Sequence, residues 1–235
     1  MTGRKLVLFN ADDLGYSHGI NRGILEAHER GVVTSASMMV NTPATGEAVL
    51  LAREHPDLAV GLHVNFTNEA QRLIDLDDQE VCRRELWGQY RRFTDLTGRK
   101  PTHLDSHQHV HRNQIRLPLF QELADAESLH LRDRPPVVFK GGFYAQWEYG
   151  ISNPSRVSLA ALQRILHEEL SEGIYEFCCH PGYFDPALEA IYHRDRELEL
   201  RTLTDPALLA FLEHEGISLV SYANLPAAAR DHRDA

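Results

Sequence analysis

Lys5-Leu6-Val7-Leu8-Phe9-Asn10-Ala11-Asp12-Asp13-Leu14-Gly15 (KLVLFNADDLG) is an apolar run that ends in polar residues. A short apolar run of this kind reads as a strand buried in a parallel sheet. Its polar end then lies at the strand's C-terminal tip. The plan recurs along the chain. Leu58–Phe66 (LAVGLHVNF) carries His63 and Asn65 near its end, Pro101–Ser106 leads into Asp105 to His109, and Tyr175–Cys179 (YEFCC) runs into His180. Polar groups collected at strand ends, rather than scattered, decide between folds.

Between these segments lie helix-like stretches. Ser17–Arg30 has Ser17 as N-cap and Gly31 beyond its end. Thr42-Pro43 opens a helix through about Glu54, with proline at the first helical position. Further helices are expected over Gln79–Thr97, Gln114–Leu129 and Ser158–Glu172, with a last one starting at Asp205-Pro206. Val33–Val40, Val137–Lys140 and Ile217–Tyr222 complete a set of seven β units. Strands alternating with helices imply a parallel sheet wound by helices. An open sheet gathers its site at one switch point. A barrel lets strands one, three, four and six converge on one mouth. The expectation is therefore an α/β fold, a distorted seven-stranded (β/α) TIM-like barrel forming a single domain over residues 1–235.

The 235 residues carry a formal net charge of −10 and no basic block, which speaks against nucleic acid as a partner. The three cysteines, Cys82, Cys178 and Cys179, make no disulfide framework. No apolar run approaches the length of a membrane span, and the start lacks the form of a signal peptide, so a cytoplasmic protein is expected. Assembly into a homo-oligomer is left open.

Histidine is the anomaly: 14 are present, and five fall between His103 and His130. Within Thr102–Arg112 (THLDSHQHVHR), His103, Asp105 and His107 have period 2 and would share one strand face. Two imidazoles and a carboxylate together suit Zn²⁺, Fe²⁺, Ni²⁺ or Mn²⁺. The plainer alternative is a solvated strand end. Asp12 and Asp13 repel unless a cation or a shared proton compensates, so one can bind metal while the other handles protons. Helix-entry chemistry is their plain alternative. Adjacent strand residues point to opposite faces, so Cys179 and His180 are badly placed to pair, and both late cysteines read as small strand residues. His180, just before the Pro181-Gly182 turn, can donate a proton at the mouth. The loop Gly141–Arg156, with Phe143, Tyr144, Trp147 and Tyr149, offers aromatic faces for sugar stacking or for ordinary packing. The charges of Asp195–Arg201 read as a helical face turned mostly to solvent.

Taken in order, NADDLG (Asn10–Gly15), SHGIN (Ser17–Asn21), VTS (Val33–Ser35), GLH (Gly61–His63), PTHLDSHQHVH (Pro101–His111), CHPGY (Cys179–Tyr183) and SY (Ser221–Tyr222) span nearly the whole chain. In this set the chain resembles the YdjC-like carbohydrate deacetylases, a family that includes chitooligosaccharide and hopanoid-biosynthesis deacetylases. The resemblance implies a distorted (β/α) barrel, hydrolysis of N-acetyl groups on amino sugars, and one divalent metal ion, for which it suggests Mg where the nitrogen ligands favour Zn (Mg or Zn stays open). It puts the metal ligands on Asp13, His63 and His107, the proton-handling aspartate on Asp12 and the acid on His180. The segment after Phe66 is short where some members carry an insertion that shapes substrate choice.

The expected partner is thus an N-acetylated sugar, with acetate and a free amine as products. Asn65, Trp147 and Tyr183 are the expected substrate contacts, and Asp105 and His109 the expected supports behind the ligands. The same residues leave room for a metal-dependent hydrolase of another amide or a phosphate ester, a two-His-one-carboxylate iron oxygenase, or a sugar-binding protein without activity.

Overall fold

A computed structural model describes residues 4–68, 71–148, 150–186, 188, 192 and 194–225. The side chains of Trp147 and Glu148 fall outside that description, as does Tyr149. The elements run β1 (Lys5–Leu14), α1 (His18–Arg30), β2 (Val33–Met38), α2 (Thr45–Glu54), β3 (Ala59–Val64), a hairpin of β4 (Thr67–Asn68) and β5 (Gln71–Arg72), and α3 (Gln79–Thr97). They continue with β6 (His103–Ser106), a 3-10 turn (His107–Arg112), α4 (Leu117–Glu127), β7 (His130–Leu131) and β8 (Val137–Lys140). A second hairpin, β9 (Gln146–Glu148) and β10 (Ile151–Ser152), precedes α5 (Leu159–Glu168), β11 (Gly173–Cys179), α6 (Arg194–Leu203), α7 (Pro206–His214) and β12 (Ile217–Leu219).

All seven expected β units are present, and the short β7 is an addition. The large sheet is parallel in the order β7-β6-β3-β2-β1-β11-β8. β11 covers one edge of β1 from Lys5 to Ala11. Its other edge is shared, with β12 pairing Lys5–Val7 and β2 taking over from Phe9. β12 is therefore wedged against β1 below β2. At the opposite end the ladder stops at β7 and β8, and the chain itself crosses from Leu131 to Val137. These two irregularities distort the barrel.

Alternation along β1 divides two environments. Val7, Phe9 and Ala11 join the main apolar core between strands and helices. Leu8 belongs to a small separate cluster with Ala59, Val137, Tyr222 and Leu225, which plugs the barrel's inner side. Asn10 and Asp12 continue the face of Leu8, so the interior turns polar towards the strands' C-terminal ends.

Local signals act as their chemistry requires. The Ser17 hydroxyl accepts from the Ile20 amide at 3.3 Å, and Asp78 caps α3 through Glu80 and Val81. α2 begins at Thr45, later than Pro43 implied, because the Thr42 hydroxyl donates instead to the Gly15 carbonyl at 2.5 Å. No helix among the described residues is long and apolar enough to cross a membrane.

Candidate metal centre and active site

The two aspartates owe their joint position to a bulge. Opposite β2, Ala11 pairs Ala36 and Leu14 pairs Met38, so β1 spends one extra residue across Asp12 and Asp13. Asp13 takes up the irregularity with φ of 72°, a left-handed conformation that is costly for a residue with a Cβ. Neighbours on a regular strand would face apart. Here both line one cavity of about 320 Å³.

Asp13 reaches three partners. Its Oδ2 accepts from Arg196 Nη2 at 2.6 Å. Its Oδ1 faces His63 Nε2 at 3.3 Å and His107 Nδ1 at 3.1 Å. His63 stands on β3, and its Nδ1 meets Asp105 Oδ1 at 2.6 Å. An imidazole that donates from Nδ1 to Asp105 can offer Nε2 as a ligand, and Nε2 faces the Asp13 carboxylate with both side chains almost wholly buried. A cation between them would take the place of the proton that Nε2 otherwise carries. His107 Nε2 is buried without a partner. One carboxylate oxygen and two imidazole nitrogens lie within 4.8 Å of one another, and this donor set suits a divalent ion. Without a cation, burial lowers the basicity of His63, but Asp105, Asp12 and Asp13 outweigh it and raise its pKa to about 10.

Asp12 turns the other way. Arg132 donates from Nη1 to Oδ2 at 2.8 Å and from Nη2 to Oδ1 at 2.7 Å, and Asn10 Nδ2 adds 2.9 Å to Oδ1. Burial would raise the Asp12 pKa, yet Arg132 and His63 hold it well below the ordinary value. Arg132 is itself fully buried and also meets Asp105 Oδ2 and Glu176 Oε1, each at 2.7 Å. The Tyr222 hydroxyl donates to Glu176 Oε2 at 2.6 Å, and the Tyr222 ring stacks on His103 at 4.0 Å.

His180 borders the same cavity, between the rings of Tyr144 and Tyr192. Its amide donates to Glu199 Oε2 at 2.5 Å. Burial pushes its imidazole down to about 4, against the pull of Asp12 and Asp13. Cys178, two residues earlier on the same strand face, donates its thiol to Asp12 Oδ2 at 3.3 Å and lies 4.0 Å from His180 Nε2. The cysteine that shares a face with His180 is thus Cys178, while Cys179 bonds back to the Asn10 carbonyl.

Several expectations need correction. β6 ends at Ser106, so His107 heads the following turn and does not continue the strand face of His103 and Asp105. His103 instead bonds the Ser37 hydroxyl at 2.9 Å, deep below the cavity. Asp105 supports His63. His109, left-handed with φ of 52°, lines the wall against Phe139 and His111 and does not back a ligand. Asn65 lies past the end of β3 and is buried, its backbone clamped by Gln89 and its amide turned to Asn41. Tyr183 borders a different, shallower hollow and bonds Glu26. Trp147 lies on β9, with its side chain outside the described residues. The charged run Asp195–Arg201 is not turned to solvent, since Asp195, Arg196 and Glu199 are buried. Phe143 and Tyr144 of the aromatic loop do reach the cavity, joined by Phe139 and Tyr192.

Sequence reading missed Arg132, Arg196, Glu199 and Cys178. Arg132 sits in R-D-R-P-P after a two-residue strand too short to show periodicity. Cys178 had a usable signal, since i and i+2 on a strand share a face.

The model of the family described as YdjC-like protein matches residues 6–214. A carbohydrate deacetylase of Geobacillus stearothermophilus is 36% identical over 245 residues, covering 92% of this chain and 96% of that protein. Among solved structures, a protein of Enterococcus faecalis proposed to cleave cellobiose phosphate is 28% identical, with a TM-score of 0.77 and coverage of 94% and 98%. A family 4 carbohydrate esterase from Streptomyces lividans shares the fold, with a TM-score of 0.59 at 12% identity and coverage of 95% and 96%.

Proposed function

The chain belongs to the YdjC-like protein family, and on that premise we propose that it is a metal-dependent carbohydrate deacetylase. It would hydrolyse an N-acetyl group of an amino sugar or oligosaccharide to acetate and a free amine. One observation carries the reading: Asp13 Oδ1, His63 Nε2 and His107 Nδ1 converge in a cavity that also holds an ionised Asp12 and His180. The carbohydrate class is supported by the relative from Geobacillus stearothermophilus and by the wall of Phe139, Phe143, Tyr144 and Tyr192, rings suited to the apolar face of a sugar.

Asp13, His63 and His107 would hold the ion. A divalent cation there supplies Lewis acidity for the amide carbonyl and makes water at the site more acidic. The two nitrogens suit Zn²⁺ better than the oxygen-seeking Mg²⁺. Arg196 occupies the second oxygen of Asp13 and fixes which lone pairs face the histidines. Asp105 sets the His63 tautomer from behind.

Asp12 remains a carboxylate across the neutral range, so it can take the proton of the attacking water without first losing one. Arg132 keeps both of its oxygens oriented. His180 protonates the departing nitrogen as the tetrahedral intermediate collapses. Since the resting imidazole is neutral at neutral pH, the proton it delivers is one released during turnover.

The test is acetate release from a panel of N-acetylated mono- and oligosaccharides, before and after chelation and after return of single metals. Activity is expected to vanish on chelation and to return with a divalent ion. Full activity in the chelated protein would end the metal-dependent reading, and release of phosphate but not acetate from a parallel ester panel would end the deacetylase one.

A further inference from the structure

Beside the Asp13, His63 and His107 set, the cavity holds a second convergence of three different donors. Asp12, Cys178 and His180 place a carboxylate oxygen, a sulfur and an imidazole nitrogen within 4.8 Å of one another. Cys178 is 4% exposed and borders the cavity, and Cys82 and Cys179 do not. The pairwise distances are 3.3 Å from Sγ to Asp12 Oδ2 and 4.0 Å from Sγ to His180 Nε2. Donors around a tetrahedral Zn²⁺ with one sulfur stand roughly 3.3–3.6 Å apart, so the Asp12–Cys178 pair already has that spacing and the Cys178–His180 pair at 4.0 Å needs to close by about half an ångström. His180 Nδ1 is buried without a hydrogen-bond partner, 4.0 Å from Glu199 Oε1, while Nε2 faces the Cys178 sulfur.

We propose that Asp12, Cys178 and His180 form a second site, selective for thiophilic divalent ions, whose occupation stops turnover. Binding replaces one proton. The Cys178 S–H bond breaks, the proton leaves to solvent, and the sulfur pair goes to the cation. The same step frees the Oδ2 lone pair that had accepted that S–H. A thiolate donor selects Zn²⁺ or Cd²⁺ and discriminates against Mg²⁺. The Asp13, His63 and His107 set contains no sulfur, so only the set with Cys178 gives a thiolate bond to a soft ion such as Cd²⁺. The inhibitory half of the proposal rests on reading Asp12 and His180 as proton carriers. The binding half rests only on the three donors.

The experiment titrates the full chain with Cd²⁺ in the presence of Mg²⁺, recording thiolate-to-cadmium charge-transfer absorption and acetate release together. In the unaltered chain added Cd²⁺ is expected to develop the band, and acetate release to fall at least tenfold with the midpoint of the band. His107→Ala removes a donor of the other set only and should keep the band. Cys178→Ser should lose the band and require at least tenfold more Cd²⁺ for inhibition. His180→Gln, a second variant independent of the cysteine, should keep the band but shift its midpoint at least tenfold. No band in the unaltered chain, or a band that survives Cys178→Ser, overturns the site. A saturated band with undiminished acetate release overturns the inhibitory half. A chain that releases no acetate under any condition refutes the deacetylase reading instead, and the band alone then decides the site.

Discussion

Arg132 grips Asp12 with both terminal nitrogens, Nη1 to Oδ2 at 2.8 Å and Nη2 to Oδ1 at 2.7 Å, inside a pocket where neither is more than a few per cent exposed. The same guanidinium meets Asp105 and Glu176. A fork of this kind fixes direction as well as charge. Arg132 therefore aims Asp12 and links it to the support behind His63.

Removing that cation leaves buried carboxylates facing one another. Arg132→Met is expected to cost on the order of 3–5 kcal/mol in denaturant unfolding, the usual penalty for breaking a buried pair from one side. Arg132→Lys retains the charge without the fork and should fold better than the methionine variant while turning over more slowly. Equal unfolding midpoints for Arg132→Met and the unaltered chain would contradict the central role of this contact.

Asp105 accepts from His63 Nδ1 at 2.6 Å. Asp105→Asn should weaken metal binding by about 10–100-fold, the range expected when the group behind a ligating histidine is changed. Metal retained after dialysis, measured by mass spectrometry of the metal content, provides the check. Unchanged affinity would show that His63 needs no such support.

Gly61 packs against the ring of His103, where an added Cβ would fall closer to the imidazole than real Cβ atoms come. His103 cannot retreat, because it is stacked on Tyr222 and bonded to Ser37. Gly61→Ala should therefore destabilise by about 1–3 kcal/mol, as overpacking of a tight core does. A thermal melt unchanged from the parent would refute this.

Glu199 titrates against the fold. Burial raises its pKa from the ordinary 4.5 to about 8, although the Tyr192 hydroxyl, the His180 amide and Arg196 pull the other way. Between those two values the folded chain holds a proton that the unfolded chain has lost, so this group's contribution falls as pH rises through that window. Glu199→Gln stays neutral throughout. Its melting temperature should therefore gain on the parent between pH 5 and pH 8.5, by about 2–4 °C for each kcal/mol involved. Parallel profiles would mean that Glu199 is already charged at pH 5.

Tyr183 bonds Glu26 and carries Arg22 over its ring at 4.9 Å, away from the metal cavity. Tyr183→Phe should leave kcat and KM unchanged and reduce stability by about 1 kcal/mol, as for the loss of one part-buried hydrogen bond. A large rise in KM would restore it as a substrate contact.

The barrel was legible in the chain because its signals are local. Apolar runs such as Lys5–Phe9, caps such as Ser17 and Asp205, and polar residues at each strand end are properties of neighbours in sequence. The same locality placed Asp13 and His63 at the mouth and, through the ordered motifs, marked the family. What tertiary structure alone decided concerns distant partners. Whether Asp12 and Asp13 face together depends on a bulge set by pairing with β2, not on strand alternation. Whether Arg132, Arg196 and Glu199 meet solvent or carboxylates depends on what packs over them, and their charge pointed to the surface. His103 and His107 have the same spacing from Asp105, yet one stacks on Tyr222 in the interior and the other turns to Asp13. Spacing defines a face only while the strand lasts, and here it ends at Ser106.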